Sequence, residues 1–178
     1  MKVIAISGKA QHGKDTTAEI LKSMLEEQGN SVLVTHYGDL VKYVCRTFFG
    51  WNGEKDEYGR SLLQHVGTNV VRTKDQDFWL NFVKDIIEFF PSEWDYVIIP
   101  DTRFPNEIDG LKNAGLDVTH LRISRPYFNS GLTEEQLAHP SETALDDRKP
   151  DWLICNFGTF EDLKNQVEIF LYRLERDL

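Results

Sequence analysis

One stretch near the start of the chain, Gly8-Lys9-Ala10-Gln11-His12-Gly13-Lys14-Asp15-Thr16-Thr17, leaves few folds for it to adopt. It follows an apolar run, Val3-Ile4-Ala5-Ile6, and leads into a helix-forming stretch from Thr16 to Glu27. Strand, glycine loop, lysine and helix in that order make a phosphate-binding P-loop. Two glycines let the backbone curl, so that successive N–H groups point into one concavity that binds anionic oxygens. The helix adds the positive end of its dipole beneath them. Gly8, Ala10, His12, Gly13, Lys14, Asp15 and Thr16 form this phosphate-binding set, with the Lys14 ammonium reaching the β- and γ-phosphates of a nucleoside triphosphate.

The position after a P-loop lysine normally carries Ser or Thr, whose hydroxyl holds Mg²⁺; here it carries Asp15. A carboxylate also ligates Mg²⁺, directly or through water, and Thr16 offers a hydroxyl one residue later. Both stay open as metal ligands. A third is Asp101, which ends the apolar run Tyr96-Val97-Ile98-Ile99-Pro100. An acid at the tip of a buried strand downstream of a P-loop is the Walker B arrangement, which holds the Mg²⁺ shell beside the phosphates.

With 178 residues, 40% apolar and 28% charged, the chain fits one soluble globular domain spanning 1–178. No apolar run approaches the ~20 residues of a membrane span, and the chain opens directly into a strand, so a cytoplasmic protein is expected. A net charge of −9 argues against a nucleic-acid polymer as partner, although not against a small anion held by local cations. Cys45 and Cys155 sit far apart among apolar residues and read as reduced thiols. The five histidines lack metal-ligand spacing.

The remaining pattern alternates strands with helices, which predicts an α/β fold with parallel strands and a site at their carboxyl ends. Strands are expected at Val3–Ser7, Ser31–His36, Tyr96–Asp101, Val118–Ser124 and Trp152–Asn156. The segment from Tyr37 to Phe49 reads as a helix with Leu40, Val41, Val44 and Phe48 inward, and 50–59 as an exposed loop. Asp75 or Asp77 caps a helix whose Phe78, Phe82, Ile86 and Phe89 are expected in the core. Thr159 caps the last helix, whose apolar face is Leu163, Val167, Phe170, Leu171 and Leu174. Arg60, Gln64, Thr68 and Arg72 recur every four residues and form one polar stripe on an unbroken helix, with Leu62, Leu63, Val66 and Val70 turned to the core. Gly67 is the point where such a helix could break.

Taken together, five segments resemble the bacteriophage-type deoxynucleoside monophosphate kinases, a family of P-loop nucleotide kinases. They are Gly-Lys-Ala-Gln-His-Gly-Lys-Asp-Thr, Arg60–Thr68, Asp101-Thr-Arg-Phe-Pro-Asn-Glu107, His139-Pro-Ser-Glu142 and Asn156–Thr159. The Gly-Lys-Asp loop is itself similar to that family. Pro100, where a small polar residue is expected, and the lack of arginines in 127–147 depart from it. The resemblance implies a three-layer P-loop NTPase fold, a parallel five-stranded sheet with helices on both faces. It also implies a helical acceptor-binding insert at about 38–90, a short lid at about 125–148, and transfer of the γ-phosphoryl group of ATP, with Mg²⁺, to a (deoxy)nucleoside monophosphate.

On that reading Lys14, Arg103 and Asp101 are catalytic, and Arg125, His139 and Glu142 belong to the lid. Asp39, Lys42, Arg60, Gln64 and Arg72 lie in the acceptor-binding segment. Each has a plainer reading: Arg103 paired with Glu107 four residues on, Asp39 as a helix cap, His139 and Glu142 ordering a turn around Pro140. Two other functions fit the loop. One is a kinase for a different phosphorylated acceptor, phosphomevalonate-like; the other is a slow nucleotide-binding module that regulates a partner. The last calls for an exposed apolar patch, which no segment demands. Base preference, sugar preference and a homodimer are left open by the sequence.

Overall fold

The computed structural model describes residues 1–176. Its sheet has five parallel strands: β1 (Lys2–Ser7), β2 (Val32–Val34), β3 (Tyr96–Thr102), β4 (Asp117–Ser124) and β5 (Trp152–Cys155), in the order β2-β3-β1-β4-β5. β1 is central, and its side chains divide by alternation between two cores. Val3 and Ala5 face the layer built from α2 (Tyr37–Phe49), α4 (Phe78–Phe89) and α5 (Pro105–Asn113). Ile4 and Ile6 face α1 (Lys14–Glu27) and α8 (Phe160–Leu174). Burial on both faces explains why β1 and β3 read as continuous apolar runs.

Between α2 and α4 lie α3 (Glu57–Gln64) and a π-helical segment, His65–Arg72. Two short helices, α6 (Glu134–Ala138) and α7 (Pro140–Thr143), precede β5. Thr159 and Asp162 cap α8 reciprocally, and all five residues of its expected apolar face are buried. Among the described residues no helix is long and apolar enough to cross a membrane, and Cys45 and Cys155 are free thiols.

Four expectations are corrected. In α4 the core face is Trp79, Leu80, Val83 and Ile87, while Phe78, Phe82 and Phe89 are exposed. Asn81, Lys84, Asp85 and Glu88 form one polar stripe along this helix, the core face lies opposite it, and the three phenylalanines only flank the stripe. Trp79 anchors the inward face, its indole N–H donating to the Gly67 carbonyl at 2.8 Å. The surface therefore does carry an apolar stripe. In α2, Phe48 is exposed and Cys45 is buried in its place. The stretch 50–59 is not an exposed loop throughout, since Trp51 is buried, donates to the Glu54 carbonyl and lies under the Arg46 guanidinium.

The fourth correction concerns Val70. It is exposed, and Val71 packs on the core instead. A π-helical turn bonds residue i to i+5, so the inward position after Val66 falls one residue later than an α-helix would place it. Gly67 does not break the segment. Its missing side chain lets the winding pack closely on Val41, where a Cβ would lie 3.3 Å from a methyl.

Candidate active site

The carboxyl ends of β1 and β3 open into a cavity of about 540 Å³. Its walls are the P-loop, the start of α2, the α3 and π-helical segment, residues 100–107 and the 136–142 segment.

Gly8 and Gly13 hold φ of +147° and +102° in the P-loop, a region that L side chains rarely adopt. A Cβ at Gly8 would also lie 2.3 Å from the Ile123 carbonyl oxygen, so β4 permits only glycine there. Lys14, 8% exposed, donates to the carbonyls of Gly8 and Lys9 at 2.8 and 2.9 Å, which clamps the loop shut on its own lysine. Burial, with Arg103 nearby, lowers the Lys14 pKa to about 8. The His12 side chain does not line the cavity. Its Nδ1 accepts from the Arg125 N–H at 3.1 Å, and its carbonyl accepts from Asn156 Nδ2 at 3.1 Å. His12 thus ties the P-loop to the ends of β4 and β5, and desolvation lowers its pKa.

Of the three metal-ligand candidates, Asp15 and Asp101 line the cavity and Thr16 does not. Thr16 lines a separate cleft between α1 and α8. The exposed Asp15 carboxylate lies 3.6 Å from His36 Nε2, which lowers the Asp15 pKa and raises that of His36. Asp101 accepts from the N–H groups of Tyr37 and Gly38 at 3.0 and 2.8 Å, so it caps the first turn of α2 and fixes that helix against β3.

Opposite the P-loop, Arg60, Gln64, Thr68 and Arg72 all line the cavity, as the four-residue stripe anticipates. Lys42 joins them, while Asp39 stays outside, paired with Lys42 at 2.7 Å and with His36 at 3.3 Å. Arg72 is fixed from three sides. It bonds Glu107, donates to the Gln76 carbonyl at 3.1 Å, and lies 4.1 Å over the Phe104 ring.

Glu107 is 1% exposed and its carboxylate also accepts from the N–H groups of Arg103 and Phe104. Burial pushes its pKa up to about 7 against the pull of Arg72. The sequence marks Glu107 only as an i+4 partner for Arg103. In the fold its partner comes from 35 residues away, a pairing that no local pattern encodes. The same holds for the roles of His36, Tyr37 and Gly38.

The Arg103 guanidinium turns to the other side of the cavity, where it bonds the Glu142 carboxylate and the Ser141 carbonyl, the latter at 2.7 Å. Glu142 is inside the site and His139 is not. His139 Nδ1 accepts from Ser141 N–H at 3.2 Å, and Nε2 reaches Asn69 Oδ1 at 3.3 Å, so this histidine orders the turn at α7. Arg125 likewise stands outside the cavity, its guanidinium 4.1 Å over Phe128. The 145–148 segment is fastened to the body by Arg122 on Asp146 and by Arg148 on Asp109.

This geometry brings the glycine loop with Lys14 and the side chains of Lys42, Arg60, Arg72 and Arg103 to one cavity. The sequence pattern of the deoxynucleotide monophosphate kinases matches residues 24–167, beginning inside α1. A deoxynucleotide monophosphate kinase of Enterobacteria phage T4 is 33% identical over 120 residues, covering 66% of this chain and 47% of the relative. One from Escherichia phage RB69 is 31% identical over 114 residues, covering 63% and 44%. The chain thus spans less than half the length of these two relatives. Among solved structures, the Mycobacterium tuberculosis APS kinase CysC in complex with AMPPNP and APS superposes with a TM-score of 0.56 at 14% identity, over 98% of this chain and 97% of that one. That likeness is one of fold. With a P-loop kinase fold and a family pattern running from α1 to α8, the chain belongs to the deoxynucleotide monophosphate kinase family.

Proposed function

We propose that the protein transfers the γ-phosphoryl group of ATP to a deoxynucleoside monophosphate, giving the diphosphate. The observation that carries this reading is one cavity lined by Lys14 of the P-loop and by Arg60, Arg72 and Arg103, in which Arg103 meets the P-loop through Glu142 and Arg72 through Glu107. Phosphoryl transfer has a loose transition state, so alignment and charge neutralisation are the protein's main contributions. The donor triphosphate lies in the P-loop. The acceptor monophosphate lies against the insert at 38–90, its phosphate on Arg72 and its base edge toward Gln64. The segment 125–148 serves as lid, chiefly through α6 and α7.

Mg²⁺ fits Asp15 and Asp101, because two carboxylates beside substrate phosphates supply the hard oxygen donors this ion favours. When bound, it neutralises the phosphate charge. Asp101 at the same time fixes the first turn of α2, the helix that carries Lys42, against β3.

ADP formation from ATP, followed across the deoxynucleoside and ribonucleoside monophosphates and phosphomevalonate, tests this reading. Acceptor-dependent turnover with a deoxynucleotide is expected, and its absence with every nucleotide rejects the reading. Gln64→Leu is expected to raise KM for the monophosphate severalfold or more and to leave KM for ATP nearly unchanged, because a base-recognising amide loses its bond. Identical constants in both proteins would make Gln64 a wall residue only.

A further inference from the structure

Glu142 has an environment unusual for a carboxylate. Its side chain is 4% exposed, yet it sits on an anion-binding loop, in a protein whose net charge is −9. Oε2 accepts the Ala10 N–H at 2.9 Å, one of the P-loop amides, and Oε1 bonds the Arg103 guanidinium. Lys14 is close but does not bond it, being held by the carbonyls of Gly8 and Lys9. One carboxylate therefore bridges the donor loop to the cation that stands between donor and acceptor. A carboxylate and a phosphoryl group use the same partners, backbone N–H and guanidinium, in the same charge-assisted way. Of the phosphates in a bound nucleotide, the terminal one must face the acceptor wall, and so it is the one that meets Glu142.

The contact is carried by a short element. Glu142 lies in α7, a helix of four residues whose N-terminal turn is set by His139 and whose Ser141 carbonyl takes a second bond from Arg103. Downstream, Leu145 is buried and Arg122 holds Asp146, which fastens the chain just after α7.

We propose that Glu142 is a displaceable latch: its carboxylate holds the Ala10 N–H and the Arg103 guanidinium, and the terminal phosphoryl group of a nucleoside triphosphate takes both over. This rests on the phosphoryl-transfer reading and deepens it. ATP releases α7 and hands Arg103 to the γ-phosphate. ADP, lacking that group, leaves the latch closed, so Arg103 is committed to phosphoryl transfer only when a triphosphate is present.

The test compares ATP and ADP affinity in the parent and in Glu142→Gln by titration calorimetry at fixed Mg²⁺ and pH. The amide lacks the charge that competes with a phosphoryl group, so the Kd for ATP is expected to fall roughly tenfold while that for ADP changes less than about twofold. In the parent, hydrogen exchange at Ser141–Thr143 should be faster with a non-hydrolysable ATP analogue than with ADP; this measurement decides the matter even if the variant folds poorly. An unchanged ratio of ATP to ADP affinity in the variant, or equal exchange with both nucleotides, overturns the latch alone. If neither nucleotide binds the parent, the kinase reading falls with it.

Discussion

Lys14→Met is expected to lower kcat by roughly 10²–10³ with little change in melting temperature, as removal of one preorganised charge donor does. Methionine keeps the unbranched stem that fills the buried channel beneath the loop. What is lost is the ammonium, which bonds the Gly8 and Lys9 carbonyls in this structure and would turn to the phosphates when they arrive. The parent should also show the titration of this group. Since burial lowers its pKa to about 8, the free protein loses the charge as pH rises through that value. kcat/KM for ATP, which reports the free enzyme, should fall on that limb. Stopped-time ADP assays from pH 6 to 10 measure both effects. Wild-type turnover in a folded Lys14→Met protein would remove the P-loop from the mechanism.

Arg72→Ala should be the most destabilising of the site substitutions, by about 3–5 kcal/mol, because it strands a buried carboxylate. Glu107 and Arg72 side chains are 2% and 8% exposed, so the pair is largely desolvated and its loss leaves Glu107 without its charged partner. For a chain of this size that corresponds to roughly 6–20 °C in melting temperature. The pH dependence follows from Glu107. Its folded pKa, about 7, lies above the ordinary 4.5. Its contribution is therefore full below about 4.5 and is lost as pH rises through about 7. Without Arg72 the folded value rises further, so the deficit of Arg72→Ala should be larger at pH 8 than at pH 5. The double variant Arg72→Ala, Glu107→Gln should recover much of the loss, since the stranded charge is gone. Thermal melts of the parent, the single and the double variant, each at both pH values, decide this. Equal melting of parent and Arg72→Ala at pH 8 would show that the pair does not hold the acceptor wall.

The frame of the protein was legible in the order of its residues. Short-range chemistry is enough for that: two glycines and a lysine between a strand and a helix, an acid at the end of an apolar run, a Thr-x-x-Asp cap before α8. Each of these is decided within a few residues of backbone. The four-residue stripe from Arg60 to Arg72 was legible in the same way, and those residues do meet in the cavity. The reading of periodicity failed in α4, where the phenylalanines flank the polar stripe of Asn81, Lys84, Asp85 and Glu88. The face opposite that stripe is the buried one, anchored by Trp79 on Gly67 and by Leu80 on Gly110. The reading failed again at Val70, because a π-helical turn shifts the phase and no propensity announces one. The electrostatic wiring is set by the folded cavity. Glu107 takes Arg72, Arg103 takes Glu142, and Glu142 takes the Ala10 amide, over separations of 35, 39 and 132 residues. A charged side chain finds its partner by where the folded chain places it, and in a buried site every charge must find one. That constraint acts on the assembled cavity, and it has no signature in the order of the residues.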